Sequence, residues 1–382
     1  MEVTVSYGKS LQPAEPTVKA RDTVHLEFDD VFMDGVADLG LRARPPLGET
    51  VACFAIAEGK TPAMIEYVKV FRIDHWLKNV FIFFGHLVAL ALLPTEVPQN
   101  TTTVVLRMFL SLVPACLIAS ANYIVNEILD APFDRIHPTK RYRPVPSGKV
   151  KISVLWILMA VLIVVAFVLA ALWFNVGYLV SLALLLLSGV AYNVEPMRLK
   201  DRPYLDVIAE SFNNPVRLWL GWYALLPSHY YPPLSIVLAW WFFGALLMAG
   251  KRFAEFRFIG DARRSGDYRK SFRVYTERSL ILSMVTYANF FCFCMGIAIA
   301  VYRPNLVFVF PLVVVAICVY LYRAMSEEGA KLEPEHLLKS PLVIACTLIV
   351  VAVSAVLAWT KTDLTKSLHL FEGMEVQDKT SQ

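Results

Sequence analysis

Three oxygen-bearing side chains recur at four-residue spacing where a long apolar segment ends: Asn126, Asp130 and Asp134. If that segment is a helix that continues to residue 134, the three side chains stack along one face. Amide and carboxylate oxygens suit Mg²⁺, which usually keeps several waters and bridges to substrate phosphates. Pro132 falls within the spacing and is expected to bend or end the helix. The pattern predicts a metal site, and the alternative is a solvated helix end.

A second pair of carboxylates, Asp206 and Glu210, is also spaced by four residues and begins a later apolar segment. The positive end of that helix favours an anion. Arg198 and Lys200 precede the pair in a polar loop. Two carboxylate sets on separate helices, with cations between them, indicate a site that binds a diphosphate through two metal ions. Taken alone, the second set is also typical of an ordinary loop at the membrane edge.

The amino-acid composition indicates that the helices carrying these residues belong to a membrane protein. Of 382 residues, 57% are hydrophobic and 18% are charged, and the mean hydropathy is +0.54. All three values are far from those of soluble globular proteins. Nine apolar segments approach the ~20 residues that span a bilayer. They occupy 79–94, 104–125, 152–173, 176–192, 207–227, 234–250, 280–302, 305–323 and 341–360. The expected fold is an all-α polytopic membrane protein with nine transmembrane helices.

Basic residues gather in alternate loops. The segments 126–151 and 251–278 are rich in Lys and Arg, whereas 95–103, 174–176 and 228–233 contain neither. The positive-inside rule therefore predicts that the N-terminus and the basic loops are cytoplasmic, and nine spans put the C-terminus outside.

The two ends of the chain differ from the apolar body. Residues 1–60 combine prolines with acidic residues and lack a sustained helical period, so we expect a partly disordered cytoplasmic extension. A nine-helix domain is predicted over 61–362 and an extracytoplasmic tail over 363–382.

The two motifs resemble those of the UbiA-type intramembrane prenyltransferase superfamily, over about residues 65–360. The first family motif, Asn-Asp-x-x-Asp-x-x-x-Asp, is matched by Asn126, Glu127, Asp130 and Asp134, with glutamate in place of the second residue. The second, a Tyr followed by a Lys and an Asp, is similar to Tyr192, Lys200 and Asp206. The resemblance implies nine helices around a central cavity, cytoplasmic cap loops, and Mg²⁺-dependent departure of diphosphate.

Within the superfamily, three stretches look like those of the decaprenyl-phosphate phosphoribosyltransferases, which move 5-phosphoribose onto a polyprenyl phosphate. They are 72–79, which includes Lys78 and Asn79, 137–144 and 250–255. The chain departs from that branch at Ile73, which replaces a proline. It also departs at 195–198, which lengthen the second motif toward the spacing of relatives that use prenyl diphosphates.

Both reactions ionise a carbon by loss of diphosphate, but a phosphoribosyl donor and a phosphorylated acceptor need additional cations. The expected cytoplasmic rim offers Lys78, Lys140, Arg141, Arg143, Arg198, Lys200, Lys251 and Arg252. Their number favours the phosphorylated acceptor, although topology alone also explains any one of them. Arg217 lies within an apolar segment, where a charge should face a cavity and pair with an anion or with Glu210. His137 is interpreted as a loop contact.

Our hypothesis is a Mg²⁺-dependent membrane enzyme that acts on a polyprenyl phosphate or diphosphate and a second small substrate. Nucleic acid is not an expected partner, and oligomerisation is left open. The expected metal ligands are Asn126, Asp130, Asp134 and Asp206. The expected catalytic residues are Asp130, Asp134, Lys200 and Asp206. The expected substrate contacts are Lys78, Asn79, Lys140, Arg141, Arg143, Tyr192, Arg198, Glu210, Arg217, Lys251 and Arg252. The alternatives are prenyl transfer to an aromatic or other small acceptor, a transporter, and an inactive lipid-binding relative.

Overall fold

A computed structural model of the chain describes residues 63–135, 140–259, 270–325 and 341–359. The regular secondary structure within these ranges consists of helices, and they contain no strand. The predictions for 1–60, His137 and 363–382 lie outside this range. The α-helices are α1 Ala63–Val70, α2 Ile82–Leu92, α3 Thr101–Leu110, α4 Leu112–Asp134, α5 Ile152–Trp173, α6 Val176–Asn193, α7 Leu205–Ser211, α8 Asn213–Leu225, α9 Leu234–Ile259, α10 Glu277–Tyr302, α11 Phe310–Met325 and α12 Pro341–Trp359. Short 3₁₀ segments cover Ile73–Phe81, Lys140–Tyr142, Leu199–Asp201, Lys270–Arg273 and Pro304–Val309.

Local sequence explains where several helices begin. The Asn100 side chain accepts hydrogen bonds from two backbone N–H groups of the first turn of α3. Asn175 caps α6 in the same way, and Thr276 begins α10 with a reciprocal capping box. Such side chains satisfy N–H groups that have no partner inside the helix.

Within the described ranges, seven helical stretches are long and apolar enough to cross a membrane, and Pro341–Ser354 is a shorter apolar helix. One stretch, Thr101–Asp134, runs through the first motif, so the helix does continue to residue 134. The expected fifth span is divided into α7 and α8 near Phe212. Pro215, which has no N–H, removes a helical hydrogen bond at this point. The count of nine spans stays a prediction.

A close crossing of α2 and α8 fixes the helix that carries Arg217. A Cβ on Gly85 would lie 2.1 Å from the Leu218 carbonyl oxygen, and one on Gly221 would lie 2.1 Å from that of Ile82. Small residues at such crossings let membrane helices pack backbone to backbone. The crossing holds Arg217 against the 3₁₀ segment Ile73–Phe81.

The apolar side chains form two main cores. One includes Ile82, Leu182 and Trp222, and the other includes Leu246 and Phe272. Stacked rings of Phe84 on α2 and Trp240 on α9, with centroids 4.0 Å apart, connect the two groups of helices. The motif loops lie at the ends of these helices.

Candidate active site

The two aspartates of the first motif have different partners. Asp130 contacts Lys200 and Arg198, whereas Asp134 accepts a hydrogen bond of 2.7 Å from Arg143 Nη1. A helix turns by about 100° per residue, so a four-residue step overshoots one turn by about 40°. Over two steps the rotation reaches about 80°. The expected single row of three side chains is therefore corrected to a pair, Asn126 and Asp130, with Asp134 turned toward the loop after α4.

Lys200 joins the two motif loops. Its ammonium donates to Asn126 Oδ1 at 3.1 Å, Asp130 Oδ1 at 2.5 Å and Asn193 Oδ1 at 3.0 Å. The side chain is buried, and this burial lowers the pKa of Lys200 while Asp130 opposes the shift. Sequence reasoning missed Asn193; an amide directly after Tyr192 at the end of α6 was the available signal.

Arg198 also contacts Asp130, and its backbone conformation is strained. Its φ of 28° is in the region that favours glycine, which costs about 1–3 kcal/mol for other residues. The guanidinium donates through Nη2 to Asp130 Oδ1 at 3.2 Å and through Nε to Asp201 Oδ2 at 3.0 Å. Burial raises the pKa of Asp201, but Lys270 and Arg198 outweigh it and lower the pKa overall. These two acids hold the loop in its strained form.

The structure does not bring Asp206 to the oxygens around Lys200. Asp206 is fully buried, and its Oδ1 accepts from the Tyr275 hydroxyl at 2.6 Å. Its Oδ2 accepts from Arg252 Nε at 3.0 Å and from the Ser271 hydroxyl at 3.3 Å. The expectation that Asp206 joins the first-motif oxygens is thus corrected, because α7 turns this carboxylate toward α9 and the loop before α10. Ser271 and Tyr275 were missed, although their four-residue spacing was visible.

Arg252 is engaged by protein groups instead of facing an open site. It is 1% exposed. Its nitrogens donate to Asp206, to Glu210 Oε2 at 2.5 Å and to Glu255 Oε2 at 3.1 Å. The Tyr192 hydroxyl also donates to Glu210, at 3.1 Å. Arg252, predicted to contact substrate, therefore ties the second motif to α9.

Glu127, the residue that departs from the family motif, points away from Lys200. It is 4% exposed, and its Oε1 accepts from the Val145 backbone N–H at 3.1 Å. It lines a cleft of about 370 Å³ together with Lys69, Arg72 and Arg143. The longer glutamate side chain thus ties α4 to the loop that follows it.

Arg217 forms a hydrogen bond with the side-chain amide of Asn79. Its Nε donates to Asn79 Oδ1 at 3.0 Å, and Asn79 Nδ2 lies 3.2 Å from Cys116 Sγ. Glu210, the carboxylate considered as its partner, binds Arg252 instead. The predicted residues Asn79 and Arg217 are therefore brought together, on a different pair of elements from those that carry the two motifs.

The remaining predicted cations lie at the periphery. Lys78 is exposed, and Lys140 and Lys251 are half-buried. Arg141 is exposed and donates to the neighbouring Tyr142 hydroxyl at 2.7 Å. Within the described ranges, none of these four side chains forms an ion pair with Asp130.

The oxygens around Lys200 suit a hard divalent cation. Three of them already converge on one positive charge: one carboxylate and two amide oxygens. Among the described residues, no group of three or more His, Cys, Asp or Glu side chains converges in this way. Mg²⁺ often uses one or two carboxylates and completes its shell with waters and substrate phosphates, so the residues fit.

Comparison with known proteins gives the family. The model of the UbiA prenyltransferase family matches residues 80–338. Decaprenyl-phosphate phosphoribosyltransferase of Mycolicibacterium smegmatis is 29% identical over 237 residues, which cover 60% of this chain and 69% of that protein. The protein of the same name from Mycobacterium tuberculosis is 31% identical over 238 residues, covering 60% of this chain and 72% of its own.

Solved structures share the fold. A UbiA homolog from Archaeoglobus fulgidus bound to DMAPP and Mg²⁺ superposes with a TM-score of 0.58 at 16% identity. The match covers 77% of this chain and 100% of that one. The same homolog bound to GPP and Mg²⁺ gives a TM-score of 0.57. With the apolar helices and the matched family model, these findings show that the chain belongs to the UbiA prenyltransferase family and is an integral membrane transferase.

Proposed function

We propose that this enzyme transfers 5-phosphoribose from phosphoribosyl diphosphate to a polyprenyl phosphate and releases diphosphate. The observation that carries the proposal is the convergence of Lys200 and Arg198 on Asp130, which assembles cations and oxygens of both motifs at one point. The names of the two relatives at 29% and 31% identity support this choice of substrates.

The donor diphosphate would bind where the two motif loops meet. Asn126, Asp130 and Asn193 would hold Mg²⁺, whose charge stabilises the leaving diphosphate. Lys200 and Arg198 would donate hydrogen bonds to the phosphate oxygens, and such charge-assisted bonds are the strong ones.

The other predicted acids would act on the loops in this proposal. Asp134 holds the loop after α4 through Arg143, and Asp206 holds α7 through Arg252. Both keep the diphosphate-binding loops in place, so their removal should lower activity without removing the oxygens around Lys200.

The acceptor needs little help from a base. Its phosphate oxygen is already ionised at neutral pH, so it can form the new bond to the anomeric carbon as the bond to diphosphate breaks. The electron pair of the broken bond leaves with the diphosphate. The alternation of basic and uncharged loops supports a site at the cytoplasmic face, with the N-terminus on the same side.

The test is a product assay with two arms. Detergent-purified protein is incubated with Mg²⁺ and either phosphoribosyl diphosphate plus polyprenyl phosphate, or a prenyl diphosphate plus aromatic acceptors. The lipid product is then identified by mass spectrometry. We expect phosphoribosylated lipid in the first arm, and a prenylated aromatic compound in the second arm would overturn the assignment.

A variant pair links the activity to the site. Asp130→Asn removes the carboxylate shared by Lys200 and Arg198 and should lower kcat/KM by about 100-fold or more. Glu277→Gln removes a carboxylate paired with Arg257 at the start of α10 and should leave the rate unchanged. Full turnover by folded Asp130→Asn protein would contradict the assigned role.

A further inference from the structure

Arg217 differs from other cations of the helix bundle in the kind of partner that it has. Lys200 and Arg198 contact Asp130, and Arg252 contacts three carboxylates. Across the described residues, Arg217 has no carboxylate within ion-pair distance, and its hydrogen bond goes to the neutral amide of Asn79. A charge inside a membrane protein normally pairs with another charge or lines a functional pathway.

The residues on either side of Arg217 in the chain are apolar. Its chain neighbours Val216 and Leu218 are fully buried, and the Gly85–Gly221 crossing fixes the helix that carries them. The Arg217 side chain lies deep in the protein, yet it is partly exposed. An anion that reaches its exposed part would supply a counter-charge.

Asn79 aims the guanidinium. The amide oxygen of Asn79 accepts from Nε of Arg217, while its nitrogen lies 3.2 Å from the Cys116 sulfur. Among the described residues, neither Nη group of Arg217 donates a hydrogen bond to a protein acceptor. A guanidinium held through Nε presents a planar pair of donors that matches two oxygens of a phosphate.

Tyr123 connects this place with the proposed reaction centre. It lies on α4 three residues before Asn126. Two cations, Arg217 and Arg72, and two carboxylates, Glu210 and Asp74, are near enough to interact with it electrostatically. The Arg72 guanidinium carbon is 5.4 Å from the centroid of the Tyr123 ring. Three residues are almost one helical turn, so Tyr123 lies on the same side of α4 as Asn126. It is one turn closer to the middle of the helix.

We propose that Arg217, aimed by Asn79, binds the phosphate monoester of the lipid acceptor and selects phosphorylated acceptors over neutral ones. The inference rests on the proposed function, which supplies a phosphorylated lipid as acceptor. A phosphate monoester also occurs on the donor, as its 5-phosphate. We assign the acceptor because Arg217 lies in α8 between the apolar residues Val216 and Leu218, and an apolar segment of this kind suits the prenyl chain that accompanies the phosphate.

Ligand binding without turnover tests the proposal. The full chain in detergent is titrated with farnesyl phosphate, farnesol and phosphoribosyl diphosphate. In Arg217→Gln, the affinity for farnesyl phosphate should fall by about 10- to 100-fold, as expected for lost hydrogen bonds to a charged group. The affinities for farnesol and phosphoribosyl diphosphate should stay within about twofold, and the exposed control Arg278→Gln, at the start of α10, should change none of them.

The outcomes separate the proposals. Unchanged farnesyl phosphate binding in Arg217→Gln, or a loss confined to phosphoribosyl diphosphate, overturns the assignment. If Arg217→Gln does not fold, Arg217→Lys replaces it in the test. Lysine keeps the positive charge but lacks the planar pair of donors. We expect Arg217→Lys to weaken the binding of farnesyl phosphate and to leave the binding of the other two ligands unchanged. Equal wild-type affinity for farnesyl phosphate and farnesol also overturns it. Phosphate selectivity through Arg217 without phosphoribosyl transfer would refute the proposed function and leave this binding site intact.

Discussion

Lys200→Met should strengthen Mg²⁺ binding by the substrate-free protein. The Lys200 ammonium contacts the same three oxygens that we assign to Mg²⁺, at 2.5–3.1 Å. Two cations cannot share these oxygens without strong repulsion, so metal binding has to displace the ammonium. Methionine keeps the length of the side chain and removes its charge.

The size of the effect follows from the contacts that are lost. A hydrogen bond that involves a charged group contributes about 1.5–3 kcal/mol net. Burial of Lys200 offsets part of the gain from its three bonds, since it disfavours the charged form. We therefore take the value of about one bond, ~2 kcal/mol, which corresponds to about a 30-fold increase in Mg²⁺ affinity. Arg198 stays on Asp130, so the estimate concerns mainly the freed amide oxygens.

Isothermal titration calorimetry of Mg²⁺ into detergent-purified protein, without substrates, measures this affinity. Lys149→Met, which removes an exposed cation from the loop after α4, is the matched control and should bind Mg²⁺ like the wild type. In turnover assays, Lys200→Met should also raise the KM for the diphosphate donor. Equal or weaker Mg²⁺ binding by folded Lys200→Met protein would refute the idea that the ammonium and the metal compete for one set of oxygens.

Two further predictions concern stability. Gly221→Val should prevent correct assembly of the bundle, because a Cβ there would lie 2.1 Å from a backbone carbonyl, whereas Gly296→Ala, with no atom within 4 Å, should be tolerated. Thermal melting and size-exclusion chromatography compare the two, and a native-like melting temperature for Gly221→Val would contradict the close crossing. Asp201 should stabilise the loop above its usual pKa of 3.8, and this contribution should disappear as the pH falls through its lowered pKa in the folded protein. Asp201→Asn should flatten the pH dependence of the melting temperature in that acidic range, and an unchanged profile would rule out the contribution.

Periodicity predicted part of the side-chain geometry. The four-residue spacing of Asn126 and Asp130 placed both on one helix face, and the structure directs both to Lys200. The same reasoning failed at Asp134, because the rotation of the helix accumulates over two steps. It gave no means to see that Asn193 completes the set, since that contact depends on where α6 ends relative to α4.

The sequence by itself determined the membrane character and the resemblance to the UbiA family, because hydrophobic segments and motif spacing are local properties. Only the tertiary structure decided which cation meets which acid. Asp206 and Glu210 pair with Arg252 from a distant helix, and Arg217 pairs with Asn79. Ion pairs and hydrogen bonds of this kind are set by the packing of separate helices, which places residues far apart in the chain within hydrogen-bond distance.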